Sequence, residues 1–185
     1  YPVIFISFAD VKETSFLDTR KKICQIITKL YNKYDFLLES GHLNVNEQAS
    51  YRAVSEEMEN YMVSGSLNAL SDYLSRYYGR KTIILLDEYD TPMQEAYVHG
   101  YWEEMAAFIR SLFNSTFKTN SYLERAVMTG ITRVSKESIF SDLNHLEIVT
   151  STSCKYEAAF GFTEREVFAA MDEFGCVEKD REEVR

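Results

Sequence analysis

Two adjacent carboxylates at the end of a short apolar run are the residues of this sequence best suited to chemistry. Residues 83–86 are Ile-Ile-Leu-Leu, and Asp87 and Glu88 follow them directly. This pattern is typical of the Walker B motif of nucleotide hydrolases, in which the first acid binds Mg²⁺ and the second polarises the attacking water. Because side chains alternate along a strand, we expect the two acids to point to different sides. The alternative is that they only end a strand and favour the start of the next helix.

A second group of polar residues follows the next apolar run, RAVMT at Arg125–Thr129. Thr129 ends that run, and Arg133 lies four residues further on. A hydroxyl at the end of the neighbouring strand can hydrogen-bond the attacking water or a phosphate oxygen, and an arginine can stabilise charge on the γ-phosphate. The alternatives are an ordinary β-branched strand residue at Thr129 and a surface cation at Arg133.

Short apolar runs predict the strands that must position these residues. Continuous runs of this length are typical of strands covered on both faces, as in a parallel sheet. Four are predicted, at Val3–Phe8, Thr82–Leu86, Arg125–Thr129 and Leu146–Thr150. They alternate with helical patterns, which indicates an α/β fold built from parallel βαβ units. Ligands of such folds bind at the carboxyl ends of the strands, where both acids and Thr129 are expected, together with the region of Ser151.

Apolar residues at helical spacing predict the helices between the strands. The patterns cover about 23–38, 47–62, 66–78 and 102–116. A further helix is predicted to begin with Thr91 as its cap, Pro92 at its first position and Gln94 closing a capping box. A hydrophobic staple around a capping box in 162–167 predicts the last helix, which Gly175 ends.

Composition limits the classes of protein that fit. The 185 residues are 45% hydrophobic, which is enough for the core of one domain. The formal net charge of −9 disfavours direct nucleic-acid binding by this stretch. The three cysteines, Cys24, Cys154 and Cys176, lack metal-knuckle spacing and are odd in number, which favours a reduced, cytoplasmic location. No apolar run reaches the roughly 18 residues of a membrane span.

Other metal chemistry is less well supported by the pattern. His42, His99 and His145 share no spacing that indicates a metal site. A metal nuclease could use Asp87, Glu88 and Asp90, but no lysine occupies the neighbouring strand position that such a site normally uses.

Longer stretches of the sequence resemble the bacterial AAA-ATPase-like family of P-loop proteins. The resemblance rests on LLDEYDTPM, GYWEEMAAFIRSLF, VMTGITRVSKESIFSDLNHLEIV and FGFTEREV, in that order. It extends from YPVIFISF to about Phe174 and implies a P-loop NTPase-like three-layer α/β sandwich with a mostly parallel sheet, truncated at the N-terminus. Residues 1–185 would then be a single, partial AAA-ATPase-like domain, with 178–185 as a fraying tail.

The resemblance also implies roles for individual residues. Asp87 is expected to hold Mg²⁺ at bound ATP, and Glu88 is expected to be the catalytic base. Thr129 is expected to contact the nucleotide as a sensor, and Arg133 to be the accompanying catalytic arginine. Because the ATPase region of this family is often followed by a restriction-endonuclease-like domain, an attached nuclease domain is an expected partner.

Two departures from the family pattern affect the expected activity. Residues 141–145 read SDLNH, where the family usually has SGLNN. The Walker A loop that family members carry upstream of the YPV strand is missing, and Gly79–Thr82 is only a lookalike because it leads from a predicted helix into a strand. We therefore expect this stretch alone to bind ATP weakly or not at all, and to hydrolyse none.

The missing segment also affects the expected sheet. Its strand is expected between Arg125–Thr129 and Leu146–Thr150, so either the latter is displaced or another chain fills the slot by self-association. The sequence thus predicts part of an ATPase domain, with Mg²⁺-dependent ATP hydrolysis in the full-length protein. The alternative is a non-catalytic regulatory or interaction module with a P-loop-like fold and a decayed site.

Overall fold

The computed structural model of the protein describes residues 1–131, 143, 146–150, 152–156, 159 and 161–175. The chain divides into two compact units, Tyr1–Asn144 and His145–Arg185. The first unit contains the sheet and the residues of the candidate site, and the described residues of the second include the helix α6 (Glu164–Glu173).

Among the described residues, three parallel strands form one sheet. They are β1 (Val3–Ser7), β2 (Thr82–Asp87) and β3 (Leu123–Met128), in the order β1-β2-β3. Val3 pairs with Ile83 and Ser7 with Asp87, so β1 and β2 end side by side. Three of the predicted strands and their parallel arrangement are therefore confirmed. These runs form strands because β-branched apolar residues pack well in a pleated sheet.

The helices follow the apolar periodicity of the sequence. In the first unit they are α1 (Phe16–Lys33), α2 (Val45–Arg52), α3 (Asn60–Tyr78), α4 (Thr91–His99) and α5 (Trp102–Phe113), with a 3-10 turn at Asp35–Glu39 and a π-helical turn at Asn114–Lys118; the second unit has α6 (Glu164–Glu173). Within the described part of the chain, no helix combines the length and the apolar character needed to cross a bilayer.

Helix boundaries differ from the sequence expectation mainly where one pattern runs into the next. The pattern expected over 47–62 is interrupted after Arg52, and Asn60 already begins α3. Between them Met58 is buried, so tertiary packing of this side chain replaces the continued helix. Gly79 ends α3 in the left-handed conformation, with φ of 63°, as its position after the last apolar turn predicts.

The hydrophobic core lies on one face of the sheet. Alternate residues of β1 and β2 point into it, and α1, α3 and α5 contribute the opposite wall; representative members are Ile4, Ile6, Ile84, Leu86, Ile23, Ile27, Leu70, Leu74, Met105 and Ile109. On the other face, Phe5 is 55% exposed and Val127 is 48% exposed. The expectation of strands covered on both faces is therefore wrong for the described residues, which cover one face only.

The second unit confirms one expectation and corrects another. Thr163 and Glu166 form the predicted capping box of α6, with Thr163 N donating to Glu166 Oε2 at 2.8 Å and Glu166 N donating to Thr163 Oγ1 at 3.3 Å. Residues 146–150 form neither strand nor helix, so the predicted fourth strand is wrong. An apolar β-branched run is a strand only where a neighbour accepts its backbone hydrogen bonds, and the sheet of the described residues ends at β3.

The position of the core on one face of the sheet predicts which leucines contribute to stability. Leu70 in α3 is 0% exposed, so Leu70→Ala should lower the free energy of unfolding by about 2–5 kcal/mol, since it removes buried methyl groups and leaves a cavity. The control is the same change at Leu17, which is 73% exposed in α1 and should alter stability by about 0.5 kcal/mol or less. Urea denaturation followed by circular dichroism measures both. Equal effects at the two positions would contradict this assignment of the core.

Candidate active site

Asp87 is the last residue of the central strand and lies between the ends of its two neighbours. Phe8 N donates to Asp87 O at 2.9 Å on one side, and Thr129 N donates to Leu86 O at 2.9 Å on the other. The carboxyl ends of all three strands therefore meet at one edge of the sheet. This edge is where ligands bind in parallel α/β folds.

Both carboxylate oxygens of Asp87 accept a hydrogen bond from a neighbouring strand end. Thr129 Oγ1 donates to Asp87 Oδ1 at 2.6 Å, and Ser7 Oγ donates to Asp87 Oδ2 at 3.2 Å. The two hydroxyls hold the carboxylate in one orientation across the sheet. Each carboxylate oxygen has two acceptor positions, so one position on each remains for a cation or a water.

Ser7 is a site residue that the sequence reasoning missed. It ends β1 in direct register with Asp87, and its hydroxyl also accepts a hydrogen bond from Ala9 N at 3.3 Å. The signal that would have found it is the shared layout of two apolar runs. A polar residue ends each run, and parallel pairing brings these two residues together.

Glu88 lies directly beyond the strand, and its carboxylate has a different hydrogen-bond partner from that of Asp87. Its backbone has a φ of 50°, in the left-handed region that non-glycine residues rarely adopt. Its carboxylate Oε2 accepts a hydrogen bond from Thr91 Oγ1 at 3.1 Å. The expectation rested on alternation within a continuing strand, which does not apply to Glu88 because β2 ends at Asp87.

The start of α4 corrects the predicted cap. Asp90, and not Thr91, is the residue before the helix, and Pro92 follows in its first turn. Gln94 does not close a capping box with Thr91; its Nε2 donates to Asp90 Oδ2 at 2.7 Å. The physical reason is competition, because the Thr91 hydroxyl is used by Glu88.

Gly130 follows Thr129 and packs tightly against the turn after β2. A Cβ at this position would lie 2.5 Å from Asp90 Oδ1 and 2.8 Å from Tyr89 Cε1. Tyr89 N also donates to Thr129 O at 3.0 Å. The ends of β2 and β3 are therefore connected by a backbone hydrogen bond and by a contact that leaves no space for a side chain.

The other predicted site residues have different outcomes. Arg133 and Ser151 lie outside the described residues, as does His145. Of the remaining histidines, His42 packs edge-on against Tyr77, and His99 lies 3.4 Å from Glu95 within α4. Neither residue is at the carboxyl edge of the sheet.

Gly79–Thr82 cannot be a phosphate-binding loop, as the sequence order indicated. Gly79 is the C-cap of α3, and Thr82 begins β2, so the segment leads from a helix into a strand. A phosphate cradle needs the free N–H groups at the start of a helix.

The donor set at Asp87 is suited to Mg²⁺ only in combination with a phosphate ligand. Among the described residues, no group of three or more His, Cys, Asp or Glu side chains is arranged to hold a metal ion. Mg²⁺ prefers oxygen ligands and is commonly bound by one or two carboxylates, with waters and substrate phosphates completing its coordination. One carboxylate flanked by two hydroxyls fits that kind of site.

A comparison with protein families shows to which family this chain belongs. The family model described as predicted AAA-ATPase matches residues 1–140. The chain belongs to the AAA-ATPase-like family. The match includes β1, β2 and β3 and every described residue of the site, and it confirms the family resemblance over residues 1–140. The motif FGFTEREV lies beyond the matched residues.

A relative and the solved structures add limited information about this AAA-ATPase-like protein. It is 27% identical over 172 residues to an uncharacterized protein in the vnfD 5'-region of Azotobacter chroococcum mcd 1. The alignment covers 92% of this chain and 29% of that relative, so the chain spans less than a third of the relative's length. No solved structure matches this chain significantly.

The contact at Gly130 makes a prediction with a matched control. Gly130→Ala should destabilise the fold by about 1–3 kcal/mol, because the new methyl group would overlap the Asp90 carboxylate and the Tyr89 ring. Gly65→Ala in the interior of α3 meets no atom within 4 Å and should stabilise the fold by about 0.5–1 kcal/mol through higher helix propensity. Thermal denaturation of both variants measures the difference in sign, and a neutral Gly130→Ala would show that the two strand ends are not in close contact.

Proposed function

We propose that this domain supplies the metal- and water-handling half of a Mg²⁺-dependent ATP hydrolysis site in the full-length protein. The observation that carries the proposal is the position of Asp87. It ends the central strand of a parallel sheet, receives hydroxyl hydrogen bonds from Ser7 and Thr129, and is followed directly by Glu88. Membership of the AAA-ATPase-like family supports a nucleotide-hydrolysing role for such an arrangement.

In this proposal Asp87, oriented by Ser7 and Thr129, would hold Mg²⁺ through its remaining acceptor positions. The ion would supply positive charge to the β- and γ-phosphate oxygens of ATP. Thr129 would link the nucleotide to the metal carboxylate, since its hydroxyl already contacts Asp87 at 2.6 Å. This contact supports the sensor role assigned to Thr129.

Glu88 would orient the attacking water and accept a proton from it as the water oxygen bonds to the γ-phosphorus. The bond from the γ-phosphorus to the bridging oxygen would break in the same reaction, so that ADP leaves with that oxygen. Glu88 is partly buried and adjacent to Asp87, the proposed Mg²⁺ ligand, and this position suits the task because general-base catalysis depends first on geometry. Arg133 would stabilise the negative charge that develops on the phosphoryl oxygens. ATP is preferred over other nucleotides in this proposal because of the family relationship alone.

The phosphate-binding loop is proposed to come from another part of the full-length protein. Within the described sheet, the outer edge of β3 pairs with no strand, and the face bearing Phe5 and Val127 is largely exposed. A parallel strand beside β3, followed by a glycine-rich loop and a helix on this face, would place backbone N–H groups at the carboxyl edge where Asp87 lies. An attached nuclease domain that responds to the hydrolysis cycle is proposed on the family resemblance.

A non-catalytic interaction module is the second candidate, and the open sheet favours it. An unpaired parallel edge and an exposed apolar face are surfaces that pair with other chains, including a second copy of this one. In this alternative the acids of the site stabilise the turn between β2 and α4 and have no catalytic role.

The first test is Glu88→Gln in the full-length protein. Turnover of Mg-ATP should fall by about 100-fold or more, because an amide cannot accept the proton of water. ATP affinity should be retained. The control is Glu39→Gln, an exposed residue of the 3-10 turn, which should leave turnover unchanged. A parent protein with no turnover would favour the interaction module.

A second test uses the 185-residue chain by itself. We expect isothermal titration with Mg-ATP to detect no binding in the micromolar range, because the N–H groups and lysine of a phosphate loop supply most of the attraction for the β- and γ-phosphates. A micromolar dissociation constant would show that these residues bind the nucleotide without an added loop.

A further inference from the structure

We propose that Thr91 is a positioning residue for Glu88, holding its carboxylate in the orientation that aligns the attacking water. This inference rests on the proposed function, because it assigns a role to Thr91 only if Glu88 acts on water. Thr91 is the first residue of α4 and lies three positions after Glu88. Sequence reasoning assigned it a helix cap, which it does not form.

Two hydrogen bonds join the same pair of residues. Thr91 Oγ1 donates to Glu88 Oε2 at 3.1 Å, and Thr91 N donates to Glu88 O at 3.2 Å. The backbone bond fixes the separation of the two residues, and the hydroxyl bond then fixes the direction of the carboxylate. Thr91 is 8% exposed, so its own side chain has little freedom to turn away.

The contact is made at a residue with an unusual backbone conformation. Glu88 has a φ of 50° directly after the strand, and α4 begins three residues later at Thr91. Such a conformation is disfavoured for a residue with a side chain and persists only where its surroundings determine it. Backbone strain of this kind is concentrated at functional sites.

The surroundings determine the turn from both sides. Tyr89 N donates to Thr129 O at 3.0 Å, and Gly130 lies close enough to Asp90 to exclude a Cβ. Asp90 in turn accepts a hydrogen bond from Gln94 within α4 at 2.7 Å. The turn between Glu88 and Thr91 is thus tied to Thr129 and Gly130, the two residues that follow β3.

The hydrogen bond from Thr91 restricts the rotamers of the Glu88 side chain, the proposed general base. An unrestrained glutamate samples many rotamers, and most of them direct the carboxylate away from the water. The Thr91 bond uses Oε2, and the proposal assigns the water to Oε1. Misplacement of a reacting group by about 1 Å can cost up to 100-fold in rate, so a single hydroxyl is sufficient to matter.

The test compares variants of the full-length ATPase that differ by one atom group. Thr91→Val keeps the branched shape and removes the hydroxyl, and Thr91→Ser keeps the hydroxyl. We expect Thr91→Val to lower kcat about 10- to 100-fold with KM and the dissociation constant for ATP within about twofold, and Thr91→Ser to stay within about threefold of the parent. Thr91→Ala, a second hydroxyl-free variant, should reproduce the loss.

A matched control separates positioning from stability. Thr116→Val changes another buried threonine, which lies in the π-helical turn before β3, at the opposite end of that strand from Thr129. It should leave kcat unchanged. Melting temperatures of all variants identify any loss of folded protein, and rates are compared per folded molecule.

A double-mutant cycle with Glu88→Gln distinguishes positioning of Glu88 from a purely structural role of Thr91. It compares the effect of Thr91→Val on kcat in the presence and in the absence of the Glu88 carboxylate. If Thr91 acts through Glu88, Thr91→Val should have no further effect on the residual rate of Glu88→Gln. An equal loss in both backgrounds would overturn the inference, as would a failure of Thr91→Ser to restore the rate. If the unsubstituted full-length protein hydrolyses ATP and Thr91→Val has the same rate, the role of Thr91 is wrong and the proposed function stands. If the unsubstituted full-length protein hydrolyses no ATP, the proposed ATPase function is wrong as well.

Discussion

Parallel pairing of β2 with both of its neighbours is the constraint on which the site depends. Because all three strands run in one direction, their carboxyl ends reach the same edge of the sheet. The register then decides which residues meet there. Ser7 stands opposite Asp87, and Thr129 continues β3 beside it, so two hydroxyls reach one carboxylate from opposite sides. A shift of one residue in either pairing would direct the side chains to opposite faces and separate this group.

The turn after β2 joins the two halves of the site. Its backbone bond from Tyr89 to Thr129, and the close contact of Asp90 with Gly130, connect it to the end of β3. A displacement of the Thr129 segment would therefore be transmitted to the turn that carries Glu88. In the proposed ATPase this gives a physical route by which the residue beside the nucleotide and the residue that handles water move together.

The sheet of the described residues is covered on one face only, which fits the proposal that other segments of the full-length protein complete the site. The core on the α1, α3 and α5 side is well packed, whereas Phe5 and Val127 on the other face remain largely exposed. Parallel sheets normally bury both faces, because βαβ crossovers place helices on each side. The relative with which the chain aligns is much longer, since the alignment covers 29% of it.

The sequence by itself determined the class of fold, the three strands and the place of Asp87, because apolar runs of strand length ending in polar residues identify both an element and its exposed end. It also determined α6, since a capping box is a local interaction. Only the tertiary structure decided that Leu146–Thr150 forms no strand, that Ser7 belongs to the site and that Thr91 binds Glu88 instead of capping α4. These outcomes depend on which partners are present: a strand needs a hydrogen-bonding neighbour, and a hydroxyl bonds to the acceptor that the folded backbone brings nearest.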